Sequence, residues 1–128
     1  MAALNHIMYV DDEPDIRVLV EMSLQTLGGF NVTLCSSGQE ALARATAIRP
    51  DLILLDVMMP DMDGPQTLAA LRSLPELADV PIVFMTAKVQ PAEIARFRAI
   101  GAADVIAKPF DPIALPDQVR AIWDRHAA

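Results

Sequence analysis

Leu52-Ile53-Leu54-Leu55 runs unbroken into a single carboxylate, Asp56, with Val57-Met58-Met59-Pro60 behind it. A continuous apolar run of this kind marks a strand buried on both faces, because a strand with one wet face would alternate. A charge at the end of such a strand costs desolvation unless it sits at the strand's tip among compensating partners. The run therefore predicts a central strand over 52–56, with Asp56 at its exposed end and other unusual residues gathered around it.

The remainder of the chain frames that strand. With 128 residues it is long enough for one domain with a proper core, and too short for two. No apolar run approaches the ~20 residues needed to cross a bilayer. The N-terminus also lacks the basic, long-apolar, small-residue order of a signal peptide. Cys35 is the single cysteine and can form no internal disulfide, so it reads as a small hydrophobe in a strand; a cytoplasmic setting is expected. A net charge of −7 argues against direct nucleic-acid binding, which wants a basic face.

Strand and helix patterns alternate along the sequence. His6 to Val10 reads as a first strand ending in Asp11-Asp12-Glu13, with Pro14 opening a helix. That helix carries Ile16, Leu19, Val20, Leu24 and Leu27 at helical spacing and stops at Gly28-Gly29. Asn31 to Cys35 is a second strand. Ser36 or Ser37 caps the next helix with Glu40 close behind, Ala41, Leu42, Ala45 and Ile48 form its apolar face, and Pro50 ends it. After the central strand, the Pro-, Asp- and Gly-rich loop 59–64 leads to a helix over about 65–74. Pro81 to Thr86 is a fourth strand, Pro91 opens a fourth helix on which Ile94, Phe97, Arg98 and Ile100 recur and which Gly101 closes, and Asp104 to Ala107 is a fifth strand leading into Lys108-Pro109. Pro116 cannot lie inside a regular helix, so an irregular turn at 112–115 and a last helix over 116–126 are expected. Trp123 on that helix reads as a packing residue. Such alternation through short links calls for a parallel sheet covered by helices on both faces, with ligands beyond the carboxyl ends of the strands.

Four of the five predicted strands end in a polar or charged group: Asp11-Asp12, Asp56, Thr86 and Lys108. A parallel sheet brings these ends to one edge. Three carboxylates there repel, and Mg²⁺, a hard cation with oxygen ligands, resolves the repulsion. With an ammonium and a hydroxyl added, the set suits a phosphoryl group that one carboxylate attacks while the others neutralise its oxygens.

Val10-Asp11-Asp12-Glu13, Leu55-Asp56-Val57-Met58-Met59-Pro60-Asp61-Met62-Asp63-Gly64, Thr86-Ala87 and Lys108-Pro109-Phe110 resemble the receiver domain of two-component response regulators, over about residues 5–125. The resemblance implies a flavodoxin-like doubly wound (βα)5 α/β fold with strand order 2-1-3-4-5. It implies that Asp56 accepts a phosphoryl group from a histidine kinase or histidine phosphotransfer protein. Asp12, Asp56 and the backbone carbonyl of Met58 would hold Mg²⁺, with Asp11 reaching it through water. Thr86 and Lys108 would bind phosphoryl oxygens, Pro109 would follow a cis peptide bond, and Ala87 would keep space beside the site. The face of the fourth helix, fifth strand and fifth helix would carry the signal to a protein target. The Met58 side chain occupies a position at which the family tunes phosphoryl lifetime. Val105 departs from the family, many of whose members carry an inward-turning Tyr or Phe there.

The expected function is thus a phosphorylatable switch rather than an enzyme: a single receiver over 1–128 with no output domain, monomeric or weakly dimeric when phosphorylated. Two alternatives stand beside it, a pseudo-receiver that only binds a partner and an aspartate-nucleophile phosphohydrolase. The second usually wants an acid two residues past the nucleophile, where this chain has Met58. If the acidic pocket is repulsive without metal, Asp12→Ala should raise the melting temperature in EDTA and abolish phosphorylation. A lower melting temperature would contradict it.

Overall fold

The computed structural model describes residues 3–127, and its elements follow the predicted order. The strands are β1 (His6–Val10), β2 (Asn31–Cys35), β3 (Leu52–Asp56), β4 (Ile82–Thr86) and β5 (Asp104–Ala107). The helices are α1 (Pro14–Glu21), α2 (Gly38–Ile48), α3 (Gly64–Arg72), α4 (Pro91–Ala99) and α5 (Leu115–Ala127). All strand pairings are parallel and the order is β2-β1-β3-β4-β5.

The unbroken apolar runs are explained by two covered faces. Along β3, Ile53 and Leu55 point to a layer formed by α2, α3 and α4, where they meet Ala41, Leu68 and Phe97. Leu52 and Leu54 point to the other layer, against Val20 and Leu24 of the first helix and Val119 and Ile122 of α5. β4 divides in the same way, with Ile82 and Phe84 on one side and Val83 and Met85 on the other. Each fully buried aliphatic side chain contributes about 1.5–3 kcal/mol, so the doubly covered centre is the most stable part of the sheet.

Local chemistry sets the ends of the helices. Ser37, not Ser36, caps α2: its Oγ accepts from Glu40 N, while the Glu40 carboxylate accepts from Ser36 N and Oγ. Asp63 and Gln66 form a reciprocal capping box at the start of α3. Gly101, at φ 115°, stands just past α4 in a conformation that L side chains rarely adopt.

Three helices differ from the expectations, and β4 starts at Ile82 rather than Pro81. The first helix widens into a π-helical segment over Met22–Leu27, where Gly28 N donates to the carbonyl of Ser23, five residues back. The wider turn rotates Leu27 into solvent, and Phe30 is buried on that layer instead. α3 ends at Arg72 rather than Leu74, and a 3₁₀ turn over Pro75–Leu77 follows. The turn before α5 forms as expected, with Leu115 N and Ala114 N both donating to the Asp111 carbonyl. The helix then starts at Leu115, so Pro116 falls in its first turn, where an N–H would have no intrahelical acceptor and its lack costs no hydrogen bond. Trp123 is half-buried against the α1/α5 layer, in line with a packing role.

Gly64 ties this scaffold to the tip of β3. Its N–H donates to the Val57 carbonyl, and a Cβ on it would lie 2.8 Å from Val57 Cα and 3.0 Å from the Asp56 carbonyl oxygen. Backbone atoms cannot yield as a flexible side chain would. Gly64→Ala is expected to lower stability by about 1–3 kcal/mol in urea unfolding, by forcing the loop off the strand end.

Candidate functional site

Polar side chains at the carboxyl ends of β1, β3 and β5 come together. Asp11 follows β1 and is fully buried, Asp56 is the last residue of β3 and nearly so, and Asp12 lies in solvent at the rim. Ligand oxygens of these three carboxylates all lie within 4.8 Å of one another. Lys108, one residue past β5, enters from the far side: its Nζ is 3.2 Å from Asp11 Oδ2 and 3.3 Å from Asp56 Oδ1. It also stands 4.0 Å from Glu13 Oε1. Residues 97 positions apart thus meet in one hydrogen-bonded cluster.

Burial acts first on this cluster. It pushes the Asp56 carboxyl up to about 6, helped by the negative charge of Asp11 and opposed by Lys108. Asp12 adds least, so the repulsion inferred from three equal carboxylates falls mainly on the Asp11–Asp56 pair. For Lys108, burial works against the ammonium, but Asp56 and Asp11 outweigh it and hold the group above the ordinary lysine range. Three carboxylates against one ammonium leave a local excess of negative charge. Asp11, Asp12 and Asp56 each offer a carboxylate oxygen as a ligand, so the set fits a hard divalent cation.

Thr86 ends β4 and is buried, with its Oγ1 accepting a hydrogen bond from Lys88 N over 3.1 Å. In this structure the hydroxyl is therefore tied to its own loop. The Met58 side chain is 73% exposed. A cleft of about 440 Å³ between the β3–α3 loop and α4 is lined by Val57, Met58, Pro65, Thr86, Phe97 and Ile100. Ile100, which recurs with Phe97 in the sequence, is exposed at this cleft, whereas Phe97 is buried edge-on to Phe84. Val105 pairs with Phe84 across the sheet and packs into the same layer. The Lys108–Pro109 peptide is cis, as expected.

Two supporting residues escaped the sequence reading. Arg17 donates to the Asp11 backbone carbonyl over 2.8 Å, and Tyr9 donates to the Asp11 carboxylate. The signal for Tyr9 was present: two residues apart on a strand means the same face. That for Arg17 was not, since only the path of α1 brings it back.

An all-parallel sheet in this order, with its polar groups beyond the strand ends, defines a flavodoxin-like doubly wound α/β domain. Residues 7–120 match the response regulator receiver domain, and the chain belongs to that family. The alkaline phosphatase synthesis transcriptional regulatory protein PhoP of Bacillus subtilis is 38% identical over 93% of this chain and 48% of its own length. A probable transcriptional regulator, ycf27, of Guillardia theta is 38% identical over 93% of this chain and 45% of its length. The chain therefore spans about half the length of these relatives. The chemotaxis response regulator CheY4 of Vibrio cholerae superposes with a TM-score of 0.87 at 32% identity, over 94% of this chain and 99% of that one. Among the described residues, no helix is long and apolar enough to cross a membrane.

The raised Asp56 carboxyl makes a pH prediction. The fold favours its protonated form, so its contribution to stability is complete below the ordinary value of 3.8 and is lost as pH rises through about 6. In EDTA, Asp56→Asn should therefore be more stable than the unaltered protein at pH 7.5, by at most about 3 kcal/mol. That advantage should shrink towards pH 4. Urea unfolding at the two pH values measures it.

Proposed function

We propose that Asp56 is the phosphoryl acceptor of this receiver domain, and that Asp11, Asp12, Thr86 and Lys108 serve it. The observation that carries the reading is the convergence of Asp11, Asp56 and Lys108 at the ends of three strands, within hydrogen-bond distance through Lys108 Nζ. Asp12, Asp56 and the Met58 carbonyl would hold Mg²⁺, with Asp11 bridging through water. The ion would offset charge on the phosphoryl oxygens. An Asp56 carboxylate oxygen attacks phosphorus, the bond from phosphorus to the donor nitrogen or oxygen breaks, and an acyl phosphate forms as the donor leaves with the electron pair. Lys108, bonded to both Asp11 and Asp56, moves from these carboxylates to a phosphoryl oxygen, so its charge stays compensated throughout.

The phosphoryl donor on this reading is a histidine kinase or histidine phosphotransfer protein, met in the cytoplasm. Relatives named as transcriptional regulators support a place in two-component signalling, and the acidic balance of this domain favours a protein target over nucleic acid. Output passes through the face of α4, β5 and α5, where Asp104 now joins Arg98 of α4 to Arg125 of α5. With Val105 in place of an aromatic, the link is Thr86 itself. When its hydroxyl turns to the phosphoryl group it releases Lys88 N, which frees the loop leading into α4.

Incubation with Mg²⁺ and acetyl phosphate should produce an acid-stable, base-labile mass increase that Asp56→Asn abolishes. No adduct on the unaltered protein would leave only a partner-binding role. Steady hydrolysis of unrelated phosphoesters would point to an enzyme.

A further inference from the structure

Tyr9 is the only tyrosine of the chain and is fully buried on the α1/α5 side of the sheet. A buried tyrosine hydroxyl must find a partner, and a backbone carbonyl would serve for packing alone. Here the partner is Asp11: the Tyr9 hydroxyl donates to Oδ2 over 2.6 Å. The same oxygen receives Lys108 at 3.2 Å, and Oδ1 accepts from Glu13 N at 3.0 Å. Three donors thus hold one fully buried carboxylate. Of these only Lys108 is shared, since it also bonds Asp56 Oδ1 at 3.3 Å. Once Lys108 follows a phosphoryl group, Tyr9 is the donor left on Oδ2. Its ring is stiff and fully buried, so the hydroxyl fixes the plane of the carboxylate.

We propose that Tyr9 is a positioning residue: it keeps Asp11 ordered for the cation and frees Lys108 to move from Asp11 to the phosphoryl oxygens. This rests on Asp56 being the acceptor. Groups that hydrogen-bond a metal-site carboxylate from behind typically govern affinity by 10- to 100-fold.

Tyr9→Phe keeps the ring and removes only the hydroxyl. Calorimetric titration with Mg²⁺ should give a Kd on the order of tenfold weaker. Phosphorylation by acetyl phosphate at saturating Mg²⁺ should be severalfold slower, because Lys108 is then retained by Asp11. A variant with a lower melting temperature but unchanged Kd and saturated rate would overturn the proposal, leaving Tyr9 a packing residue. If the variant does not fold, the unaltered protein carries the test. With tyrosine labelled at ring Cζ it shows a single ¹³C resonance, which should shift during a Mg²⁺ titration with a midpoint at the calorimetric Kd. A resonance that does not move overturns the proposal. Absence of any phosphorylation of the unaltered protein would instead sink the acceptor reading on which the proposal stands.

Discussion

The interaction on which the site depends is the bridge from Lys108 to Asp11 and Asp56 at the end of the sheet. Two carboxylates shielded from water and this close would not both stay ionised without a cation between them. The bridge compensates them only in part, and Asp56 remains pushed up to about 6. That residual imbalance is useful chemistry. It leaves the pocket short of positive charge, as a site for a divalent ion would be, and on the function proposed above it leaves Asp56 as a buried oxygen nucleophile. A perfectly neutralised cluster would be more stable and would have nothing left to bind.

Everything around the bridge serves its geometry. The sheet is covered twice, so β1, β3 and β4 are rigid where they deliver their last residues. Gly64 lets the β3–α3 loop lie directly on the Asp56 backbone, and Asp63 caps the helix that leaves it. Tyr9 and Arg17 hold Asp11 through its side chain and its backbone carbonyl. By contrast, the Thr86 hydroxyl accepts from Lys88 N in its own loop, and Met58 stands in solvent beside a cleft. The rigid part and the adjustable part meet at the carboxyl edge.

Much of this was legible beforehand because it is written in local or periodic signals. The runs 52–55 and 82–85 announced doubly covered strands, and alternation with helices announced a parallel sheet. Proline and glycine marked most boundaries, Pro116 included. The misses have a common cause. Leu27 and Leu24 keep helical spacing, but hydrogen bonds from Gly28 and Phe30 back to Ser23 and Leu24 widen the turn and expose Leu27. Ile100 likewise fits the apolar pattern of α4 yet borders an open cleft. In both places the period was correct but did not decide whether the side chain would be covered.

The sequence by itself determined which side chains end each strand, because strand length and two-residue alternation are local properties. It determined too that these ends share an edge, because short crossovers force a parallel sheet. It could not rank the three carboxylates. That depends on solvent access, and only the packed structure buries Asp11 and Asp56 while leaving Asp12 at the rim. Nor could it assign partners to Asp11. Tyr9 and Lys108 reach one carboxylate oxygen from two strands on opposite sides of β3, a meeting settled by sheet order and twist rather than by spacing along the chain.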